Sequence, residues 1–187
     1  MDTPPEHLRN GAVDLRRWQP DDAELAWQLV RASLDHLRPW LPWATDGYSL
    51  ADSADYLRRC ADGWADGSQF QYLILDQGEP AGSAGLMARI GAGGLEIGYW
   101  VHVAHIGRGV ATAASAALTE AGLALPGIDR VEIHHDVGNL ASGRVPAKLG
   151  YTDTGTAPSS FEPAPADCGT VRIWRLTSQT GRAQTGG

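Results

Sequence analysis

Apolar and polar residues alternate along several short segments of the chain, and other segments carry apolar residues three or four positions apart. Alternation places side chains on opposite faces of a strand, whereas the longer spacing places apolar side chains on one face of a helix. The alternating segments predict strands at residues 12–18, 70–75, 82–89, 95–103, 130–137 and 170–176, and a further strand that begins at Gly150-Tyr151. The helical spacing predicts helices at residues 20–38, 52–64, 109–125 and 139–149.

The order of these segments predicts a mixed α+β fold. A short turn joins the strands at 70–75 and 82–89 into an antiparallel meander, after which strands and helices alternate. Helices on both faces of one mixed sheet make an α/β/α sandwich. We therefore expect one domain at residues 11–177, with an N-terminal extension at residues 1–10 and a disordered tail at residues 178–187.

Composition and charge exclude several classes of function. The 187 residues are 43% hydrophobic, which suits one globular domain with a sizeable core. No apolar run approaches the roughly 20 residues that span a bilayer, so we expect no membrane partner. A net charge of −7 argues against a nucleic-acid partner. Cys60 and Cys168 form neither a disulfide framework nor a metal-ligand spacing, which favours a cytoplasmic protein without a metal site.

The segment at residues 105–112 (HIGRGVAT) lies between a strongly predicted strand and a strongly predicted helix. Gly107 and Gly109 leave the backbone uncovered, and the following helix adds unpaired N–H groups and the positive end of its dipole. Such a segment can bind a pyrophosphate, and Arg108 adds a positive charge. A tight strand-to-helix turn that merely needs glycine would show the same spacing, so the segment alone leaves both interpretations open.

Four motifs follow one another along the chain: EIGYWV at residues 96–101, GRGVAT at 107–112, NLAS at 139–142 and KLGY at 148–151. Taken together, they resemble the GNAT acyltransferase superfamily, and particularly its RimJ/RimL branch, which acetylates protein N-termini. The resemblance extends from about Val13 to Leu176, nearly the whole chain. It implies a GNAT acyltransferase fold with splayed central strands.

The resemblance also implies that acyl-CoA binds in the gap between the strands at 95–103 and 130–137. The backbone of Val101 and Val103 would pair with the pantetheine arm. The residues that would hold the pyrophosphate are Ile106, Gly107, Arg108, Gly109, Val110, Ala111 and Thr112. Members of the family usually carry Gln or Arg at the first of these positions. Asn139 has two interpretations that are compatible with each other, a helix N-cap and a contact to pantetheine.

The motif around Ser142 bears on the acid that protonates the departing thiolate. Many GNAT enzymes use a Tyr in the helix after the Asn motif, and Pro146 stands at that position here. The resemblance to the RimJ/RimL branch assigns the role to Ser142 instead. Because proline has no N–H, the carbonyl of Ser142 loses its helical partner, and we expect a bend there. A Ser142 that only bonds back to a carbonyl one turn earlier is the alternative.

Transfer to an amine also needs a base, because an ammonium group must lose a proton before it attacks a thioester. Glu96 is the first candidate, since it lies on the polar face of its strand close to the expected splay. An ion pair with an arginine of a neighbouring strand is the alternative for this residue. His134, Glu132 and Asp136 share one face of the next strand and are further candidates.

A loop rich in Trp and Pro follows the first predicted helix, at residues 35–43 (DHLRPWLPW). Large aromatic side chains are costly to expose, so Trp40 and Trp43 either cover the core or form a wall of the acceptor pocket. Similar loops follow the first helix in the RimJ/RimL branch, which favours a pocket with His134 as a further member.

These interpretations combine into an acyl-CoA-dependent N-acyltransferase. Its donor would be acetyl-CoA and its acceptor a primary amine, either a protein N-terminus or a small molecule such as an aminoglycoside or a polyamine. A homodimer is a common state in the RimJ/RimL branch. A succinyl-CoA donor, supported by Arg89 or Arg144, is one alternative. A degenerate member that binds acyl-CoA and regulates a partner is another, favoured by Ile106 and Pro146.

Overall fold

The computed structural model describes residues 2–160 and 162–178, which form one eight-stranded sheet and four α-helices. The strands are β1 (His7–Asn10), β2 (Val13–Arg17), β3 (Gln69–Asp76), β4 (Glu79–Met87), β5 (Gly94–Val101), β6 (Arg130–Asp136), β7 (Thr152–Pro158) and β8 (Thr170–Thr177). The helices are α1 (Ala23–Leu37), α2 (Leu50–Asp66), α3 (Val110–Leu123) and α4 (Leu140–Lys148).

The strand order across the sheet is β1-β2-β3-β4-β5-β6-β8-β7. Only the central β5–β6 pair is parallel, and the other six neighbouring pairs of this described sheet are antiparallel. α1 and α2 pack on one face, while α3 and α4 pack on the other. The predicted meander and the predicted α/β/α sandwich are both confirmed.

The larger part of the core lies between the sheet and α3. Val110, Ala114, Ala117 and Leu118 form the apolar stripe of α3, which is buried against the side chains of the central strands. A smaller cluster lies on the opposite face, beneath α1 and α2. Its buried members are Trp18, Ala26, Leu29, Leu57 and Leu73.

Two strands differ from the expectation. β1 lies within the segment that was expected to be an extension, and it pairs with β2 at the edge of the sheet. β5 ends at Val101 rather than at Val103, because the ring of His102 accepts a hydrogen bond from Ala104 N (3.2 Å) and starts a 3₁₀ turn. The amide of Val103 then donates to Ser33 Oγ of α1 (3.1 Å) instead of continuing the sheet.

The chain after β8 was expected to be disordered from residue 178 onward. Ser178 is still described, and its amide donates to Asp129 O at 3.1 Å. Residues 179–187 lie outside the described part of the chain. Within that part, every helix is too short or too polar to cross a lipid bilayer.

Candidate active site

The two central parallel strands separate halfway along their length. β5 and β6 pair only as far as Ile97 and Ile133. Beyond this point residues 98–101 stay paired with β4, while residues 134–136 stay paired with β8. The sheet therefore opens into a V-shaped gap between the carboxyl ends of β5 and β6, and the predicted splay is present.

The glycine-rich loop follows β5 directly and ends at the start of α3. Gly107 and Gly109 have φ angles of +74° and +81°, a left-handed conformation that glycine adopts without strain. A Cβ atom built on either residue would meet nothing within 4 Å, so the loop surface is open. The first amides of α3 have no partner within the helix and carry its positive dipole end. This arrangement suits an anion such as a pyrophosphate.

The arginine of this loop is held by a carboxylate at the end of β3. Arg108 Nη2 lies 3.2 Å from Asp76 Oδ2, and His105 Nδ1 lies 2.9 Å from the same oxygen. The Asp76 side chain is nearly buried. These contacts fix the loop against the sheet, and they mean that the Arg108 charge is already shared with a protein anion.

Apolar side chains flank the gap on both sides and are exposed to solvent. Val103 and Ile106 lie in the connection after β5, and Leu140 opens α4 after β6. Because β5 and β6 are parallel, both connections lie at the same end of the sheet. Leu140 is 68% exposed, so its side chain is accessible from the gap. Val110 is buried, so only its backbone can contact a ligand in the gap.

Asn139 is the N-cap of α4. Its Oδ1 accepts a hydrogen bond from Ser142 N at 3.1 Å, which confirms the capping interpretation and places Ser142 in the first turn.

Tyr99 and Ser142 form a hydrogen-bonded pair between the splayed half of β5 and α4. Tyr99 Oη donates to the carbonyl oxygen of Ser142 (3.1 Å) and lies 2.9 Å from Ser142 Oγ. The carbonyl that Pro146 leaves without a helical partner is thus satisfied by the phenol. Burial raises the pKa of Tyr99 to about 12, so its hydroxyl keeps its proton at neutral pH. The sequence pattern did not single out Tyr99, although the unpaired carbonyl was the signal that a donor was needed.

Glu96 is a buried carboxylate with a cationic partner on the preceding strand connection. Arg89 Nε donates to Oε2 (2.8 Å), and Arg89 Nη2 donates to Oε1 (2.6 Å). The ion pair considered as the alternative for Glu96 is therefore present, and both of its carboxylate oxygens are engaged.

His134 lies between two buried carboxylates of adjacent strands. Its Nε2 lies 2.7 Å from Glu132 Oε2, and its Nδ1 lies 3.8 Å from Glu96 Oε2. Burial by itself would raise the pKa of Glu132, but the bonds to His134 and Arg175 outweigh it and lower that pKa. With Nε2–H donating to Glu132, a neutral His134 presents an unprotonated Nδ1 close to Glu96.

A cavity of about 610 Å³ lies between the sheet and the α1–α2 layer, and we call it the aromatic cavity. It reaches the splayed half of β5 at Gly98 and Tyr99. Its aromatic lining residues on the α1–α2 side are Trp18, Trp43, Tyr48, Tyr56 and Trp100. Trp43 thus lines a pocket, as the loop pattern suggested. The described lining includes neither Trp40, whose ring lies near Gly138, nor His134.

Comparison with known families agrees with this geometry. The family model described as an acetyltransferase (GNAT) domain matches residues 13–152. The chain belongs to the GNAT acetyltransferase family. The resemblance seen in the four sequence motifs is confirmed, and so is the assignment as an acetyltransferase.

Individual relatives extend over most of the chain. YdaF of Bacillus subtilis (strain 168), named as a candidate ribosomal N-acetyltransferase, is 28% identical over 155 residues, which cover 79% of this chain and 82% of YdaF. The structure of RimL, a ribosomal L7/L12 acetyltransferase in complex with coenzyme A, superimposes with a TM-score of 0.82, 23% identity and coverage of 96% and 99%. RimJ of Mycobacterium smegmatis, in complex with a CoA disulfide, gives a TM-score of 0.79, 23% identity and coverage of 95% and 88%.

Proposed function

We propose that this chain transfers an acetyl group from acetyl-CoA to a primary amine, either a protein N-terminus or a small molecule. The observation that carries the proposal is the parting of β5 and β6 directly beside the glycine loop and the first turn of α3. The names of the relatives support it, since YdaF and RimL are both named for acetylation of ribosomal components.

The donor would lie in the gap between β5 and β6. Backbone amides of residues 107–112 would hold the pyrophosphate, and Val101 would pair with the pantetheine arm. The amide of Val103 is already bonded to Ser33, so Val103 would offer its carbonyl. Bound acetyl-CoA supplies the activated acetyl group as a thioester. Exposed Ile106 and Leu140 would be covered by the apolar parts of the donor.

His134 would accept the proton of the attacking amine, directly or through a water. When its Nε2–H donates to Glu132, its Nδ1 has a lone pair to accept the proton, whereas both oxygens of Glu96 are bound by Arg89. Glu96 keeps a role in this scheme, because its Oε2 would stabilise the imidazolium from 3.8 Å away. Glu96 and His134, two of the four sequence candidates for the base, would therefore act as one pair.

Ser142 would return a proton to the departing thiolate. Its backbone amide donates to the Asn139 cap in the first turn of α4, and its hydroxyl lies within hydrogen-bond distance of Tyr99 Oη. When Ser142 Oγ–H turns to the thiolate, the Tyr99 hydroxyl can turn from the carbonyl to Ser142 Oγ and hold that oxygen in place. The proton leaves as part of the CoA thiol, and Ser142 would take a replacement proton from water while Tyr99 keeps its own.

The charges near the gap favour an uncharged acyl group. Arg89, which a succinyl carboxylate would need as a free cation, is bound by both oxygens of Glu96. Arg144 lies exposed on α4. Acetyl-CoA is therefore the donor that this arrangement suits. A cytoplasmic location and a homodimer stay predictions.

The test is the release of free CoA from acetyl-CoA and from succinyl-CoA, measured with a panel of primary amines. We expect amine-dependent release of CoA from acetyl-CoA.

Ser142→Ala and His134→Gln should each lower kcat by about 100-fold or more without changing acetyl-CoA affinity, because each removes a proton-transfer group. Ser160→Ala and His36→Gln, at exposed positions, are matched controls that should keep full turnover. Full turnover in both site variants would contradict the assigned roles.

A further inference from the structure

The aromatic cavity is placed to receive the acceptor. It lies on the face of the sheet that carries Glu96, and it opens at Gly98 and Trp100 in the splayed half of β5. Arg89, which holds Glu96, also lines it. A group bound in this cavity would therefore lie beside the point where the amine must meet the acetyl group.

The walls of the cavity are aromatic rings set at angles to one another. The ring centroid of Trp43 lies 5.6 Å from that of Tyr48, with an interplanar angle of 48°. It lies 6.4 Å from that of Trp100, with an angle of 63°. Trp43 remains 41% exposed in this arrangement, so it has an open ring surface. Another flat ring can complete such a tilted cluster, since aromatic pairs favour edge-to-face contact.

The polar groups at the floor of the cavity are already satisfied. Ser83 Oγ donates to Tyr72 O (3.1 Å) and accepts from Trp18 Nε1 (3.0 Å). The Tyr56 hydroxyl, also 3.0 Å away, takes the remaining lone pair of this oxygen. A ligand hydroxyl or ammonium group bound at this floor would lose its water and find no free partner on Ser83.

Three of the charged side chains at the cavity also have partners. Arg89 is paired with Glu96, and Asp55 with Arg58 at 2.8 Å. Asp52 closes the capping box of α2 with Ser49. The charged residues that line the cavity are two aspartates and two arginines, Asp52, Asp55, Arg59 and Arg89, and their charges sum to zero. A ligand that carries several positive charges therefore meets no net negative charge here, whereas a flat apolar ring gains contact area.

We propose that the aromatic cavity selects primary amines that carry a flat aromatic ring beside the amino group. This inference rests on the proposed acetyl transfer and restricts the class of acceptor. It favours aromatic amines over aminoglycosides and polyamines. The ring can come from an aromatic residue at a peptide N-terminus or from a free arylalkylamine.

The test compares kcat/KM for phenethylamine, 2-cyclohexylethylamine and glucosamine at saturating acetyl-CoA. The first two differ in the flatness of the ring, and the third carries hydroxyl groups. We expect phenethylamine to exceed the saturated analogue about fivefold, the advantage that ring–ring contacts give. The kcat/KM for glucosamine should be about tenfold lower again than that for 2-cyclohexylethylamine. Equal values for phenethylamine and 2-cyclohexylethylamine would overturn the proposal.

Variants of Trp43 test whether the preference for a flat aromatic ring arises in the aromatic cavity. Trp43→Ala should lower the ratio of kcat/KM for phenethylamine to kcat/KM for 2-cyclohexylethylamine to about one. Trp43→Phe should keep most of that ratio, because it keeps an aromatic ring in the cavity wall. Trp27→Ala is the matched control, because Trp27 lies on α1 against Arg31, away from the described lining residues, and should keep the ratio. A ratio that Trp43→Ala leaves unchanged would contradict the assignment. Peptides that begin with Phe and with Ser, run in parallel, show whether a peptide or a free amine is the better source of the ring.

A binding measurement separates this inference from the proposed function. Calorimetric titration of phenethylamine and 2-cyclohexylethylamine into the CoA complex reports ring preference without turnover. If no amine is acetylated but phenethylamine still binds more tightly, the proposed transfer fails and the cavity assignment stands. If acetylation occurs without ring preference in rate or binding, the cavity assignment fails and the transfer stands.

Discussion

Tyr99 shows how one side chain compensates for a proline within a helix. Pro146 withholds the N–H that would bond the Ser142 carbonyl, and Tyr99 reaches across the splay to supply the donor. The same hydroxyl lies 2.9 Å from Ser142 Oγ. The phenol therefore orients the group that we assign as the acid.

Tyr99→Phe should lower kcat about tenfold and leave acetyl-CoA affinity unchanged, because Ser142 keeps its hydroxyl but loses the partner that orients it. Tyr151→Phe is a matched control, since it removes another buried phenol, which lies 2.6 Å from Thr119 Oγ1. Both variants should lose about 1 kcal/mol of unfolding free energy. Steady-state kinetics and urea unfolding check these outcomes. An equal loss of kcat in the two variants would mean that Tyr99 acts only through stability.

His135 makes the stability of the protein depend on pH. Its Nδ1 donates to Asp136 O (2.8 Å), and its Nε2 accepts from Trp174 Nε1 (3.0 Å), so the ring is held neutral. Burial lowers the pKa of His135, although the bond to Asp136 opposes this. Below about pH 6.5 the unfolded chain then binds more protons than the folded one, and stability falls as the pH falls. Glu132, whose folded pKa is lowered, stays ionised in this window.

Urea unfolding at pH 7.5 and pH 5.5 tests this dependence. The wild type should lose unfolding free energy on acidification, and His135→Gln should lose less, even if it is less stable at both pH values. Burial also lowers the pKa of His102, which adds a dependence of the same sign, so the difference between the two proteins is the quantity to compare. Identical pH dependence in both would show that His135 is not the titrating group.

The loop between β5 and α3 is the element on which we expect donor binding to depend. Gly109→Glu should abolish measurable acetyl-CoA binding, because a carboxylate would occupy the anion site beside the first amides of α3. Gly78→Glu is the matched control, since Gly78 has a similar φ angle (+87°) and equally open surroundings in the β3–β4 turn. Both variants should lose about 1 kcal/mol of stability from backbone strain. Calorimetric titration checks the difference, and normal affinity in Gly109→Glu would remove the loop from the donor site.

Elements with a strong local pattern could be predicted from the sequence, and weakly patterned ones could not. α3 carries a complete apolar stripe and follows a glycine-rich loop, so the helix and the place where it begins could be predicted from the sequence. β1 has Leu8 as its one apolar residue and depends on pairing with β2, which local spacing does not encode. The end of β5 depends on Ser33, which lies 70 positions away in the sequence.

At the scale of the whole molecule, the site combines parts that the sequence revealed to different degrees. The glycine-rich loop, which we propose binds the pyrophosphate, and Ser142 belong to contiguous motifs, and both lie next to the splay. The loop pattern indicated a pocket wall at Trp43, but the other walls of the aromatic cavity could not be predicted, because Trp18 and Trp100 come from separate segments that only the fold brings together. Its walls and the gap between β5 and β6 meet at the same part of the sheet, which would bring the proposed donor and acceptor sites together.

Transfer of a labelled acetyl group is the most direct test of the proposed activity. The purified protein is incubated with acetyl-CoA deuterated in the acetyl group and with a primary amine, and the products are analysed by mass spectrometry. The expected result is a deuterated acetyl amide that forms in proportion to enzyme concentration, together with free CoA. Binding of acetyl-CoA with no labelled amide from any amine would contradict the assignment as an N-acetyltransferase acting on amines.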